Sequence, residues 1–302
     1  MTQLKSGKGL TIKAGRDATL AGATVTTGTT LDLNAGRNVV LETAFSSRDS
    51  GWKGKKSGER SGNQSSVVTE LKSGTSLSIA AGNDATLTGT KLDAGTTVSL
   101  TAENNITLLA AVNQEFESSN SKSGNFLRKT EKRDSRSATT YQGVSITSGG
   151  DATVKAKNNL TTAGTTLKAG GNATLEATTG KLLVGTYKDK VETNTYRNES
   201  ILGGLLGGTS TTKIINTTET ATDALAALDL TTVSGGDTEL VGTKLEAGNK
   251  LTVKAGGNLI VKAAVSNHFK DHDETNNGLI VTKTIKEDIK KFKESYLVVS
   301  LE

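Results

Sequence analysis

Two histidines four residues apart, His268 and His272, lie among Asp271, Asp273 and Glu274. On a helix that spacing would let both imidazoles reach one metal ion. The segment lacks a helical apolar pattern, so a solvated polar loop is expected there and no metal site. A second candidate is the column Asp17, Asp84, Asp151 and Asp237, spaced 67, 67 and 86 residues apart. Calcium-binding β-rolls need GGxGxDxUx at nine-residue spacing. This column has one Asp per pair of coils, which fits backbone turns instead. A third possibility is a polysaccharide lyase or hydrolase, since some parallel β-helices carry such sites. Clustered carboxylates beside Arg, Lys or His on one sheet face would be required. The outward positions here are mostly Thr, Lys, Asn and Ser, with few converging acids, so no enzyme is expected. Gly207-Gly208-Thr209 lacks the Lys and helix of a phosphate-binding loop. Asn63, Asn105, Asn159, Asn172, Asn198 and Asn216 open N-x-S/T triplets, which a Thr-rich chain produces by composition.

The elements that carry these residues follow from a repeat. Four blocks align without gaps, at 10–44, 77–111, 144–178 and 230–264. Each holds one Asp of the column and, 21 residues later, an Asn: Asn38, Asn105, Asn172 and Asn258. Such a period with Gly-Asx turns marks a solenoid. In the first block Leu10, Ile12 and Ala14 share one face by period-2 alternation, with Thr11 and Lys13 on the other. Gly15-Arg16-Asp17 then turns the chain, Ala18 and Leu20 point inward, and a third strand surrounds Val25. One coil later Leu31, Leu33 and Ala35 fall on Leu10, Ile12 and Ala14. Three short strands per coil predict an all-β parallel β-helix of ~21-residue coils. The eight Asp/Asn turn residues are expected along one edge. A leucine-rich repeat has a similar period, but it would need a helical half that this pattern lacks.

Composition agrees. Hydrophobic residues are 33% of the chain and aromatics 3%, below globular norms. A net charge of +5 argues against disorder, and thin stacked layers tolerate small apolar residues. Acids and bases are interspersed, six basic and four acidic residues within 112–143 for example, so no nucleic-acid partner is expected. Cys is absent, which suits export, and no signal peptide or ~20-residue apolar span is visible. The chain reads as an excised fragment whose targeting signals lie elsewhere, treated as one β-helical domain.

Three inserts, 45–76, 112–143 and 179–229, separate the blocks, and a tail runs from 265 to 302. They read as β-hairpins or loops protruding from the stack. The third insert holds the most apolar patch outside the coils, Ile201 to Gly208. Its Ile201, Leu202, Leu205 and Leu206 either cap a hairpin or pack on a coil, or form an exposed interaction surface. In the tail, Ile285, Ile289 and Phe292 are spaced for a helix face. The favoured alternative is the returning strand of a fourth insert, with a further coil beginning near Tyr296.

The pattern at 77–111 and 230–264, LxIxAGxDATLxGTxLxAG followed by LxLxAGxN, resembles the haemagglutinin repeats of the filamentous haemagglutinin family. The gapped arrangement looks most like the second repeat region of contact-dependent growth-inhibition effectors. This resemblance implies a right-handed parallel β-helix, two-partner secretion through a dedicated outer-membrane transporter and display at the bacterial surface. It also implies contact with a target-cell receptor or outer membrane during toxin delivery, with a passive adhesin shaft as the alternative. The family has no catalytic residues in its repeats, so none carry over, and no cofactor is expected.

Overall fold

A computed structural model describes residues 2–278 and 282–295. The chain winds through eight coils whose strands stack into three parallel eight-stranded sheets. The first sheet begins with Thr2–Ser6 and Ala23–Thr27, the second with Leu10–Ala14 and Leu31–Ala35, the third with Ala18–Ala21 and Val39–Glu42. Leu10, Ile12 and Ala14 pair in register with Leu31, Leu33 and Ala35. The architecture is the expected parallel β-helix.

The alternation places one residue in two inside. Ile12, Leu33, Ile79, Leu100, Val154, Leu175, Thr232 and Val253 follow one another up the second sheet. Leu31, Leu33, Ile79 and Leu100 are fully buried. Each layer covers the next, so a chain poor in large side chains still builds a continuous core. Thr162 in the fifth coil and Thr232 and Thr238 in the seventh occupy the same inward columns. The hydroxyls of Thr162 and Thr232 find no partner, which leaves those layers weaker than the Leu and Ile layers.

Odd and even coils differ where the third sheet hands over to the first. Odd coils turn tightly through Gly22, Gly89, Gly164 and Gly242, all at positive φ. A Cβ on Gly89 would stand 2.6 Å from the Cβ of Ala111, the first residue of the hairpin above it. Even coils launch a hairpin from that corner instead. The four hairpins are Ala44–Lys53 with Ser57–Val67, Ala111–Gly124 with Arg128–Gln142, Tyr187–Ile201 with Leu206–Thr220, and Ala264–Asn277 with Thr282–Ser295.

These hairpins are joined. They form a fourth, antiparallel eight-stranded sheet that runs beside the helix from its first hairpin to its last. The spacing explains it: hairpin roots lie two coils apart, about 9.6 Å, which is the width of a two-stranded hairpin. Each hairpin therefore meets its neighbour edge to edge. The tail enters this sheet as strand, so Ile285 and Ile289 belong to a strand and no helix forms. His268 and His272 also lie on a strand where a solvated loop was expected, because pairing with Asn216 and Thr212 extends the backbone there. The further coil near Tyr296 lies outside the described residues.

One alignment needs correction. Asp17, Asn38, Asp84, Asn105, Asp237 and Asn258 occupy the corner between the second and third sheets, but Asp151 and Asn172 sit between the first and second. The residues at the shared corner in coils five and six are Asn159 and Lys181. Block 144–178 begins one strand early because the second hairpin returns into the first sheet at Ser145–Ser148. Gly149-Gly150-Asp151 then makes a turn locally identical to Gly235-Gly236-Asp237 at the other corner. Both corners impose the same demand on the backbone, so they use the same residues.

Candidate interaction surface

The Asx corner is a structural ladder. The Asn38 amide donates to Asp17 from its side chain at 2.9 Å, and Asn104 and Asn105 donate to Asp84 at 2.9 and 3.1 Å. Asn159 continues to Asn105 at 3.1 Å, and Lys181 Nζ meets Asp237 at 3.0 Å. The Arg37 guanidinium beside Asp17 lowers that carboxyl to about 2. The backbone N–H of Asn258, with Lys181 second, lowers Asp237. These groups satisfy one another between coils.

The histidines do not converge. Four residues apart on a strand they share a face but are separated by about 13 Å, too far for one ion. His268 bonds Asn216, and His272 bonds Thr212 at 2.8 Å. Among the described residues no group of three or more His, Asp or Glu is placed to hold a metal. Several carboxylates on the outer coil faces stand in ion pairs, Glu70 with Lys91, Asp93 with Lys72, Glu176 with Lys155 and Glu239 with Lys262.

The hairpin sheet has no dry side. Its strands are exposed or half-buried over most of their length, and polar residues dominate both faces. Cross-strand ion pairs support it, among them Arg60–Asp49 at 2.8 Å and Arg136–Glu115 at 3.0 Å. Arg60 also lies over the Phe116 ring and Arg133 over Tyr196. Glu192 sits between Lys190 at 3.0 Å and Lys213 at 3.1 Å, and their hydrogen bonds lower its carboxyl to about 2 from the usual 4.5. A depressed carboxyl stabilises the fold above the unfolded value and loses that contribution as pH falls through the folded one. The Glu192 pair should thus weaken between pH 4.5 and about 2. We expect Lys213→Met to move the Glu192 midpoint upward, measured by carboxyl-carbon NMR titration. An unchanged midpoint would remove Lys213 from this account.

Large apolar side chains are exposed at the hairpin tips as well as on the coils, at Leu4, Leu183, Leu228 and Leu259 to Val261, and along the hairpins, at Phe45 and Phe116. Ile201 pairs with Leu206 across the third tip, and a short 3-10 turn holds Leu202 to Gly204 between them. Leu202 and Leu205 are 48% and 62% exposed. The apolar run therefore closes the hairpin and also faces solvent. Beside it the second tip carries Phe126, 93% exposed, and Leu127. Leu202 N–H donates to the Leu127 carbonyl at 2.8 Å, which links the two tips. A recess of about 890 Å³ between them is lined by Phe126, Leu127, Leu202, Lys56, Lys122 and Lys129. Phe126 and Leu127 escaped the sequence reading; their only signal was an apolar pair inside Gly124-Asn125-Phe126-Leu127-Arg128. Trp52, near the first tip, was missed as well and is 54% exposed.

No curated protein and no solved structure matches the chain. A family model described as hemagglutinin repeat matches residues 1–50, 50–127 and 127–278. The junction at 127 falls at a hairpin tip and the one at 50 within a hairpin strand, so the matched unit includes the coils together with the strands that project from them. With these matches spread over nearly its whole length, the chain belongs to the hemagglutinin-repeat family, a structural family of the filamentous haemagglutinin adhesin type.

Proposed function

We propose that this segment is a non-catalytic, surface-displayed part of a large bacterial exoprotein and makes contact with another cell through its hairpin sheet. The observation that carries this reading is the distribution of exposed apolar side chains. Phe126, Leu127, Leu202 and Leu205 protrude side by side from adjacent hairpin tips, while the outward positions of the coils are mostly Thr, Lys, Asn and Ser, with Leu4, Leu183, Leu228 and Leu259 to Val261 as exceptions. Projections held by a stiff scaffold are where recognition concentrates. The resemblance to growth-inhibition effectors adds a finer reading, in which the segment engages the target outer membrane so that a C-terminal toxin can enter. Export through a dedicated outer-membrane transporter belongs to the same reading.

The competing role is a passive shaft that sets the distance between other parts of the protein. Replacing all four hairpins by two-residue turns in the intact exoprotein keeps the coils and the length of the rod. We expect target-cell binding to fall by at least about tenfold, measured by flow cytometry of labelled exoprotein on target cells. Binding at full strength would assign the segment to the shaft.

A further inference from the structure

The last paired residues of three of the four hairpins lie on one line. Gly124, Lys129, Ser200, Gly207, Asn277 and Thr282 form a single cross-strand row through the second, third and fourth hairpins. The first hairpin stops lower, with its last paired residues, Lys53 and Gly58, level with Asn120. Beyond the shared row come Phe126 and Leu127, then Leu202 and Leu205. Two adjacent tips at one level, each presenting apolar side chains, fit a flat target better than a concave one.

Charge surrounds this line. The shorter first hairpin sets Lys55 and Lys56 below the apolar tips, and Lys122 N–H donates to the Lys56 carbonyl at 2.6 Å. Lys129 and Arg128 stand on the other side of the second tip. The nearby acids are engaged, Glu131 by Arg133 and Lys122, Glu199 by Arg128 at 2.5 Å. Lys55, Lys56 and Lys129 have no ion-pair partner among the described residues. The third tip is also strained: Leu202 holds a φ of +50°, a region an L side chain with a Cβ adopts at a cost. Leu202 thus combines an unfavourable backbone conformation with a half-exposed side chain.

We propose that this edge docks on the anionic lipid surface of a membrane, with Phe126, Leu127, Leu202 and Leu205 entering the headgroup boundary and Lys55, Lys56 and Lys129 binding lipid phosphates. The proposal deepens the cell-contact reading and rests on it. Apolar wedges with a basic collar gain both from burial and from surface potential, and each lysine near such a surface is worth about a fivefold change in partition.

The test uses the whole 302-residue chain with vesicles of phosphatidylglycerol and phosphatidylethanolamine, and with neutral phosphatidylcholine vesicles as the reference. Co-sedimentation at low salt should show at least about tenfold preference for the anionic vesicles, falling as salt rises. The tip variant F126S/L127S/L202S/L205S should lose at least about tenfold of that binding, and K55Q/K56Q/K129Q should lose more, with unchanged circular dichroism and thermal unfolding in both. In a Trp52→Phe background, the indole introduced by Phe126→Trp should shift to the blue and resist acrylamide quenching when vesicles are added. Absence of vesicle binding, tip variants that bind like the unmodified chain, or an indole that stays fully quenchable would each overturn the proposal. Target-cell binding that survives the tip variant but not removal of the hairpins would also overturn it, in favour of a protein receptor, while leaving the cell-contact reading intact.

Discussion

Leu100→Asp is expected to lower stability by about 3–5 kcal/mol or more, enough to unfold the central coils in mild denaturant. Leu100 is fully buried and lies between Ile79 below and Val154 above, with no polar group aligned to receive a charge. Water cannot relieve it, because the neighbouring coils close the layer on both sides. The adjacent Thr101 points outward and is half-buried. Thr101→Asp should therefore change stability by no more than roughly 1 kcal/mol. Urea unfolding followed by far-ultraviolet circular dichroism compares the two. Equal effects would contradict the assignment of inward and outward faces, on which the whole coil rests.

The second large effect is expected in the hairpin sheet. Residues 193–214 form the outer part of the third hairpin, beyond the Glu192–Ile215 pair. Replacing them by Asn-Gly leaves the root in place and turns two interior strands into free edges. Arg128–Gln142 loses its outer partner along Arg128 to Arg136, and Ala264–Asn277 loses its partner along Lys270 to Asn277. Several ladder hydrogen bonds of about 1 kcal/mol each disappear, and neither face of the sheet has a core to compensate. Amide exchange in those stretches should accelerate by at least about 100-fold, while the amides of Leu100 and Val154 keep their protection. Unchanged exchange in the hairpins would mean that each is stable alone and the sheet is incidental. Loss of protection in the coils as well would mean that helix and sheet fold as one unit.

The coil was legible because its determinants are local and repeated. Alternation sets which of Leu31, Asp32 and Leu33 faces inward, and a step of 21 residues brings Leu10 onto Leu31 without any distant information. The Gly-Asx turns were legible as turns for the same reason. Which corner each turn occupies was not, because both corners require the same backbone conformation. Gly149-Gly150-Asp151 and Gly235-Gly236-Asp237 could be told apart only by where the preceding hairpin rejoins the helix.

The hairpin sheet lay further out of reach. Its strands carry polar residues on both faces, so they show no apolar period, and their partners are far apart in the chain: Arg136 meets Thr193 and Ile215 meets Phe269. Those pairings arise because the helix spaces the hairpin roots at the width of a hairpin, a property of the stacked coils and of no single segment. The level row of tips depends in turn on strand lengths measured from those roots. Apolarity at Ile201 to Leu206 was written in the sequence; that it stands beside Phe126 and Leu127 was decided by the tertiary structure, since only the neighbouring hairpin's register brings Leu202 to the Leu127 carbonyl.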